Sequence, residues 1–497
     1  MNNQLLHQIL KNCYSYNNRN AFFIQNKFYT YGEFARKIAG ISDALLKFNC
    51  PQQTVFGVVT TDSLETYASI IALWINGHIF VPLSPVNSSE RNQSNINQTE
   101  IKNVLVNSLK EVKNVQLKGI AYIETKNLSS SNHIENNNTN LTNILYILFT
   151  SGSTGIPKGV PISIKNLETF IISFLQLGFQ LNHEDKFLQI YDLSFDASVH
   201  CYTLPLFVGG CVYTVPPQEV KYLYAYKLMK EQELTFVKVP PSTINYLQPY
   251  FTSIKLEKLN YMLFGGEALS EVLANQWQQC VPNAQLYNVY GPTEATINCF
   301  YYKFFTKSVK QFNSIVSIGK PFGDSLAVVV DENLNILPAH QKGELCVAGN
   351  QITEGYWKNN EKNKEAFVSL SISGKATIFY RTGDLVYFDD QNDYFYCGRM
   401  DNQEQIQGYR VEMGEIEHHA RMFTNLNQVI AIAKPNNKGI LQIYLILENY
   451  NKDMASLKVY LNEKLPAYMQ PYKIIDITSF PLQISGKVDR AKLKEML

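Results

Sequence analysis

The stretch Phe149–Val160, FTSGSTGIPKGV, gathers residue types that bind phosphate. Gly152, Gly155 and Gly159 let the backbone come close to an anion, and successive N–H groups there form an anion-binding nest. Thr150, Ser151, Ser153 and Thr154 bring hydroxyls, and Lys158 brings a mobile positive charge. The spacing is not that of the common P-loop, because no lysine directly follows a second glycine. Flexible Ser/Gly linkers share this composition. Three further stretches carry chemistry. In FGGEA (264–268), Gly265 and Gly266 leave bare backbone at a strand end, on which a planar base can stack. In NVYGPTEATIN (288–298), Glu294 follows a Gly-Pro turn. A carboxylate beside a phosphate loop is a natural Mg²⁺ ligand, and equally a charge favoured at a helix N-terminus. In YRTGDL (380–385), Asp384 is able to accept hydrogen bonds from ribose hydroxyls, or is an ordinary turn aspartate.

These stretches need elements to hold them. LYILFT (145–150) reads as a buried strand, and Asn166–Leu177 as a helix with Leu167, Phe170, Ile171, Phe174 and Leu175 on one face. VFGVV (55–59), FVPL (80–83), TFVKVP (235–240) and YMLF (261–264) are strand candidates between helical patterns, which predicts α/β layering with largely parallel sheets. From about residue 315, LAVVVDENLN and GELCVAG predict a β-rich subdomain. Beyond GRMD (398–401) the pattern is that of a small α+β unit. It has a helix at 413–422, strands VIAIA (429–433) and IYLIL (443–447), and Met454, Leu457, Leu461 and Leu465 along one helix face. The predicted class is α/β, with an N-terminal domain over 1–400 and a small, mobile C-terminal domain over 401–497. The Asn- and Ser-rich piece 126–143 reads as an exposed loop.

At 497 residues, 45% apolar and 18% charged, the chain has the composition of a soluble protein of two or three domains. A net charge of +1 gives no global attraction to nucleic acid or to an anionic membrane. Eight cysteines without a C-x-x-C pair fit reduced thiols rather than a disulfide framework or zinc site. The N-terminus lacks signal-peptide order and the longest apolar run, 68–75, is too short to span a bilayer, so a cytoplasmic location is expected. Adjacent His418 and His419 point about a hundred degrees apart on a helix and do not share a metal ion.

FTSGSTGIPKG, FGGEA, NVYGPTEATI, GELCVAG, YRTGDL, GRMDNQEQIQGYRVEMGEIE and SGKVDR also occur in the order, and at roughly the separations, of the adenylate-forming superfamily. From about Tyr29 to its C-terminus the chain resembles that superfamily of acyl-CoA synthetases, luciferases and nonribosomal peptide synthetase adenylation domains. It is most similar to stand-alone amino-acid-activating enzymes such as D-alanine–carrier protein ligases. The resemblance implies ATP and Mg²⁺, and a carboxylate that attacks the α-phosphorus, expels pyrophosphate and leaves an acyl-adenylate. A thiol then takes the acyl group. Positioning and charge shielding carry such a reaction. By the same resemblance, Lys487 would hold the substrate carboxylate and α-phosphate, although composition alone makes a lysine near the chain end a solvated charge. Thr150, Ser151, Gly152, Ser153, Thr154, Gly155 and Lys158 would grip the β- and γ-phosphates, and Glu294 would carry Mg²⁺, with Thr293 beside it. Gly266, Glu267 and Asn288 would contact adenine, Tyr290 and Gly291 would complete the nucleotide set, and Asp384 and Arg399 would hold the ribose. Asp401 would be the hinge, and Gly408 would line the thiol's tunnel. One departure stands out. The lysine that usually sits two positions after the glutamine of the D-N-Q motif is replaced, Gln403 being followed by Glu404 and Gln405.

SFDASVH (194–200) resembles the substrate pocket of the peptide-synthetase branch, where an aspartate anchors the α-ammonium group. Asp196 falls on that position, with a helix cap as the alternative. The remaining pocket positions carry over to Ala197, His200, Ser242, Leu263, Gly265, Val289, Ile297 and Asn298. Small Ala197 and Gly265 imply an α-amino acid larger than alanine, aromatic ones included, with His200 and Asn298 hydrogen-bonding its side chain. The expected acceptor is a phosphopantetheinylated carrier protein acting in trans on a monomeric enzyme. An acyl- or aryl-CoA ligase using free CoA is the alternative, and a non-catalytic nucleotide-binding relative a third.

Overall fold

The computed structural model describes residues 3–114, 117, 119–131, 134, 140, 142–151, 157–306, 308–372, 374–401, 403–426, 428–436, 439–450, 453–481 and 488–497. Two sheets dominate the first three hundred residues. One has nine strands. Its central six, Gln285–Tyr290, Tyr261–Gly265, Phe236–Val239, Lys186–Gln189, Cys211–Thr214 and Asn20–Ile24, run parallel in that spatial order. The other has six. Ala121–Glu124, Asn103–Val106, Val55–Val59, Ile79–Leu83 and Ile144–Thr150 are parallel, and Lys158–Ser163 closes the edge antiparallel to Ile144–Thr150.

Between the sheets lie helices that are apolar over most of their surface. Leu64–Ile75 has eleven of its twelve residues buried, so the long apolar run is a core helix. Trp74 at its end donates from Nε1 to the Leu145 carbonyl at 2.9 Å, satisfying its one polar atom. Local signals set the helix starts. Thr30 and Glu33 form a capping box ahead of Tyr31–Lys47. Ser163 and Asn166 do the same for Ile164–Leu175, which moves that helix two residues earlier than its apolar pattern alone predicts.

The β-rich part is an antiparallel sheet of Leu326–Val330, Gly343–Ala348, Lys375–Phe388, Phe367–Ile372 and Tyr394–Arg399. Leu345, Val347, Tyr380 and Val386 join the same apolar cluster as the helices between the large sheets. Residues 406–497 have clusters of their own, around Ile416, Leu445 and Leu457 and around Ile432, Phe480 and Leu493. The fold is therefore mixed α/β with a C-terminal subdomain. That subdomain pairs Gln403–Ile406 with Tyr409–Glu412 as a hairpin, and packs the helices Met413–Thr424, Met454–Lys464 and Arg490–Met496 on a three-stranded sheet. Within 126–143, Ile134 is buried and its N–H donates to Tyr14 Oη at 2.7 Å, so the polar stretch read as an exposed loop is tied to the core there. The eight cysteines carry free thiols, six of them buried. Among the described residues no helix is long and apolar enough to cross a membrane.

Candidate active site

The strands Tyr261–Gly265 and Gln285–Tyr290 end side by side, at the carboxyl edge where open α/β sheets bind ligands. A cleft of about 540 Å³ opens there. Ser242, Gly266, Glu267, Asn288, Val289, Tyr290, Gly291, Asp384 and Arg399, all expected from the sequence, line it together. Gly266 has φ +81, so bare backbone does turn the chain at the strand end. Asn288 donates from Nδ2 to the Ser317 carbonyl at 2.9 Å, which fixes its amide and leaves the amide oxygen for another donor. Glu267 accepts from the Ser242 N–H at 2.8 Å, and burial pushes its carboxyl up to about 7.

At the other wall, Tyr290 Oη donates to Asp384 Oδ2, while Arg399 Nη1 donates to Asp384 Oδ1 at 3.0 Å. The same guanidinium grips Asp401 through two bonds of 2.9 and 2.6 Å. Burial resists ionisation of Asp401, but Arg399 outweighs it and holds the carboxyl below its usual range. One arginine thus ties the cleft carboxylate to the aspartate expected at the hinge.

Glu294 lies behind this wall in the turn Thr293–Ala295, with none of its surface exposed. Tyr356 Oη donates to its Oε1 at 2.8 Å and Arg410 Nη1 to its Oε2 at 3.0 Å. Burial raises a carboxyl, but Arg410 and Lys158 outweigh it and hold Glu294 at about 2. The Lys158 ammonium sits 5.0 Å from the Tyr356 ring centre, and burial with Arg410 nearby lowers its pKa. Lys158 pairs with Thr150 across a hairpin, so the glycine-rich stretch joins two antiparallel strands and does not lead straight into a helix. The alternating apolar residues of KGVPIS explain the extra strand. Thr150 Oγ1 is buried and unpartnered among the described residues. Ser151 Oγ donates to the Arg410 carbonyl at 3.0 Å and accepts from the Glu412 N–H at 3.2 Å. Gly152, Ser153, Thr154, Gly155 and Lys487 lie outside the described residues.

The C-terminal hairpin closes the site. The Gly408 N–H donates to Glu267 Oε1 at 2.6 Å, and Gly408 takes a left-handed φ of +82 with the Pro240 ring 3.2 Å from where a Cβ would stand. Tyr409 stacks on Tyr468 with ring centres 4.1 Å apart and meets Phe195 edge-on. Arg91 and Glu415 form a buried ion pair of 2.6 Å across the same boundary. Gln405 lines the cleft and pairs across the hairpin with Arg410.

The expected substrate positions split. Asp196 is the first residue of the helix Asp196–Val208. Its N-cap is Phe195, so Asp196 is not the cap. Burial raises its carboxyl, opposed by Lys238, a bond from Thr293 and the Ala197 N–H. His200 and Asn298 are buried and meet at Lys238, a residue that motif reasoning missed. Leu263, Gly265 and Ile297 are buried around them, Ala197 is half-buried, and Ser242 stands apart at the cleft. Thr296 and Ile297 take left-handed φ values of 52 and 76, a conformation that costs a β-branched residue on the order of 1–3 kcal/mol. Gln351, fully buried, holds this turn by accepting from Thr296 Oγ1 at its carbonyl and donating from Nε2 to the Asn298 carbonyl at 2.9 Å. Lys238 had one signal in the sequence, a lysine inside the otherwise apolar strand FVKV.

Residues 10–357 match the AMP-binding enzyme family, and the chain belongs to it. Tyrocidine synthase 3 of Brevibacillus parabrevis is 29% identical over 469 residues, which are 94% of this chain and 7% of that protein. Tyrocidine synthase 1 of the same organism is 28% identical over 498 residues, 99% of this chain and 45% of that protein. The chain thus spans less than half the length of these relatives. The crystal structure of the Vibrio cholerae adenylation domain AlmE, in complex with glycyl-adenosine-5′-phosphate, superposes with a TM-score of 0.88 at 25% identity, covering 100% of this chain and 98% of that one. The o-succinylbenzoate CoA synthetase of Bacillus subtilis shares the fold, with a TM-score of 0.83 at 18% identity over 98% of both chains.

Proposed function

We propose that the chain activates an α-amino acid with ATP as an aminoacyl-adenylate, releases pyrophosphate, and passes the acyl group to the phosphopantetheine thiol of a carrier protein acting in trans. The observation that carries this reading is the cleft at the ends of Tyr261–Gly265 and Gln285–Tyr290, with Asp384 held by Tyr290 and Arg399 on one side and a half-buried Asp196 in the layer behind. Asp384 keeps lone pairs for ribose hydroxyls, and the bare backbone at Gly266 would take a flat base. Asp196 would receive the α-ammonium group, since a buried carboxylate is costly until a cation arrives. Lys158 would balance the departing pyrophosphate, and Lys487 would orient the substrate carboxylate.

Mg²⁺, when bound, would shield the phosphates, and the donor chemistry fits: Glu294 is ionised and stands near Lys158. In the present pose Arg410 takes one of its oxygens, so the hairpin and a metal would use this carboxylate in turn. We assign residues 401–497 as a moving unit pivoting at Asp401. Their separate apolar clusters and the largely polar contacts of the hairpin support that assignment. The test is pyrophosphate exchange across D- and L-amino acids, fatty acids and aryl acids. Asp196→Ala is expected to abolish amino-acid-dependent exchange while ATP still binds. Exchange with a fatty or aryl acid that Asp196→Ala leaves untouched would reject this function in favour of a CoA ligase.

A further inference from the structure

Lys238 occupies the middle of the strand Phe236–Val239 and is 2% exposed. Its backbone lies opposite Leu263 in the neighbouring strand, and its side chain runs past Gly265, where a Cβ would stand 3.8 Å from Lys238 Cε. The ammonium donates to Asn298 Oδ1 at 2.5 Å and lies 3.2 Å from His200 Nδ1. Neither partner is negative. His200, packed among Phe170, Phe174 and Phe236, is kept neutral by burial and by the lysine itself. The carboxylate whose charge Lys238 feels is Asp196. Burying an ammonium on neutral acceptors is unusual, and here it is deliberate in construction: the left-handed Thr296–Ile297 turn, held by Gln351, aims Asn298 at it.

Donors and charges then point to a ligand. An ammonium has three N–H groups, and Asn298 and His200 accept two of them. With Nδ1 accepting, the imidazole proton lies on Nε2, which is buried without a partner among the described residues. One N–H of the Lys238 ammonium therefore remains to be given, while the Nε2–H of His200 points to the far side of the ring, away from the lysine. If Asp196 is neutralised by the substrate's α-ammonium group, as the proposed function holds, the charge of Lys238 has no counterpart in the site. A neutral or aromatic side chain would leave it so, whereas a side-chain carboxylate supplies both the negative charge and the third acceptor. We infer that Lys238 selects an amino acid with an anionic side chain, of the aspartate or glutamate class, and that Asn298 and His200 position its ammonium for that contact. This rests on the amino-acid activation proposed above.

Pyrophosphate exchange on the intact chain with D- and L-aspartate, glutamate, asparagine, glutamine, alanine and phenylalanine tests it. The wild type is expected to favour one acidic amino acid over its amide by about 100-fold in kcat/KM, the scale set by leaving a buried charged donor unpaired. Lys238→Met is expected to remove that preference, lowering exchange with the acid by about 100-fold while the amide changes far less. A wild type that favours a neutral amino acid overturns the inference without recourse to any variant, and so does a folded Lys238→Met protein that keeps the acidic preference. The two levels separate cleanly. Neutral amino-acid exchange that Asp196→Ala abolishes leaves the proposed function standing and removes only this inference. Exchange with fatty or aryl acids, indifferent to Asp196→Ala, removes both.

Discussion

Lys238→Met also reports on the electrostatics of the core in the absence of any substrate. Methionine keeps most of the side-chain length and removes the charge with its donors. Burial holds the ammonium at about 8, against 10.5 for an ordinary lysine. Between these values the unfolded chain binds the proton more tightly than the folded one, so stability rises with pH through the window from 8 to 10.5. Below pH 8 the folded chain carries the whole cost, roughly 3 kcal/mol for a shift of this size. The variant escapes that cost but leaves Asn298 Oδ1 and His200 Nδ1 without a donor, each worth about 1–3 kcal/mol. Near pH 7 the two effects largely cancel. By pH 10 only the second survives, and the variant falls behind the wild type by about 3 kcal/mol, on the order of 3 °C in melting temperature for a chain of this length. The other groups near the ammonium do not mimic this. Cys201, raised by burial from 9.0 to about 12, lowers stability as pH rises through 9, the opposite sign and in both proteins alike, and His200 stays neutral. The assay is the difference in melting temperature between wild type and variant, measured by differential scanning fluorimetry from pH 7 to 10. An offset that does not change with pH would refute the buried ammonium.

Two other perturbations probe the site's frame and its closure. Gly291→Ala would place a Cβ 2.6 Å from Asn298 Cα and 2.9 Å from the Cys299 nitrogen, backbone atoms that have to move, so a loss of about 3 kcal/mol in urea unfolding and a weakened preference among amino acids are expected. Arg410→Ala removes the hairpin's hold on Glu294, worth about 2 kcal/mol or roughly 30-fold in the population of this pose. Thioester formation from preformed adenylate should then fall far more than pyrophosphate exchange, and equal losses in the two assays would refute the alternating use of Glu294.

The strands and their layering were legible because buried strands leave continuous apolar runs: VFGVV, FVPL, TFVKVP and YMLF in the parallel sheets, and VIAIA and IYLIL in the antiparallel pair of the C-terminal subdomain, all stand where the sequence puts them. Motif order singled out Gly266, Glu267, Asn288, Tyr290, Gly291, Asp384 and Arg399, which line one cleft although they come from four separate stretches, while Thr150, Ser151, Lys158 and Glu294 stand outside its lining. The acid side was less legible, for a physical reason. Motif spacing follows the backbone, whereas a pocket is made by side chains that reach across strands. Ser242 lies on the helix after the strand, and its N–H is spent on Glu267, while the side chain that reaches His200 and Asn298 starts four residues earlier, in the strand itself. Arg410 was hidden likewise, since a charged residue in a two-stranded hairpin reads as surface until the fold carries it to a buried carboxylate 116 residues away in sequence.

Arg399 joins these two halves of the molecule. Its guanidinium holds Asp384 in the cleft through Nη1 and Asp401 at the start of the C-terminal subdomain through Nε and Nη2, so one planar group serves both. A ribose that drew Asp384 toward its hydroxyls would pull on the same fork that fixes Asp401. Rotation about the residues after Arg399 would likewise move the guanidinium from which Asp384 accepts a hydrogen bond. If Asp384 takes the ribose and residues 401–497 move, as proposed above, nucleotide occupancy and the pose of that unit would be coupled through one side chain, and reciprocally. The hairpin adds a second coupling of the opposite kind: Arg410 competes for the Glu294 carboxylate that a cation accompanying the phosphates would need. On the proposed function, the first link would pass the presence of the nucleotide to Asp401, and the second would oppose the Arg410–Glu294 contact while the phosphates and their cation are bound, so that the hairpin would gain its full set of contacts after pyrophosphate leaves.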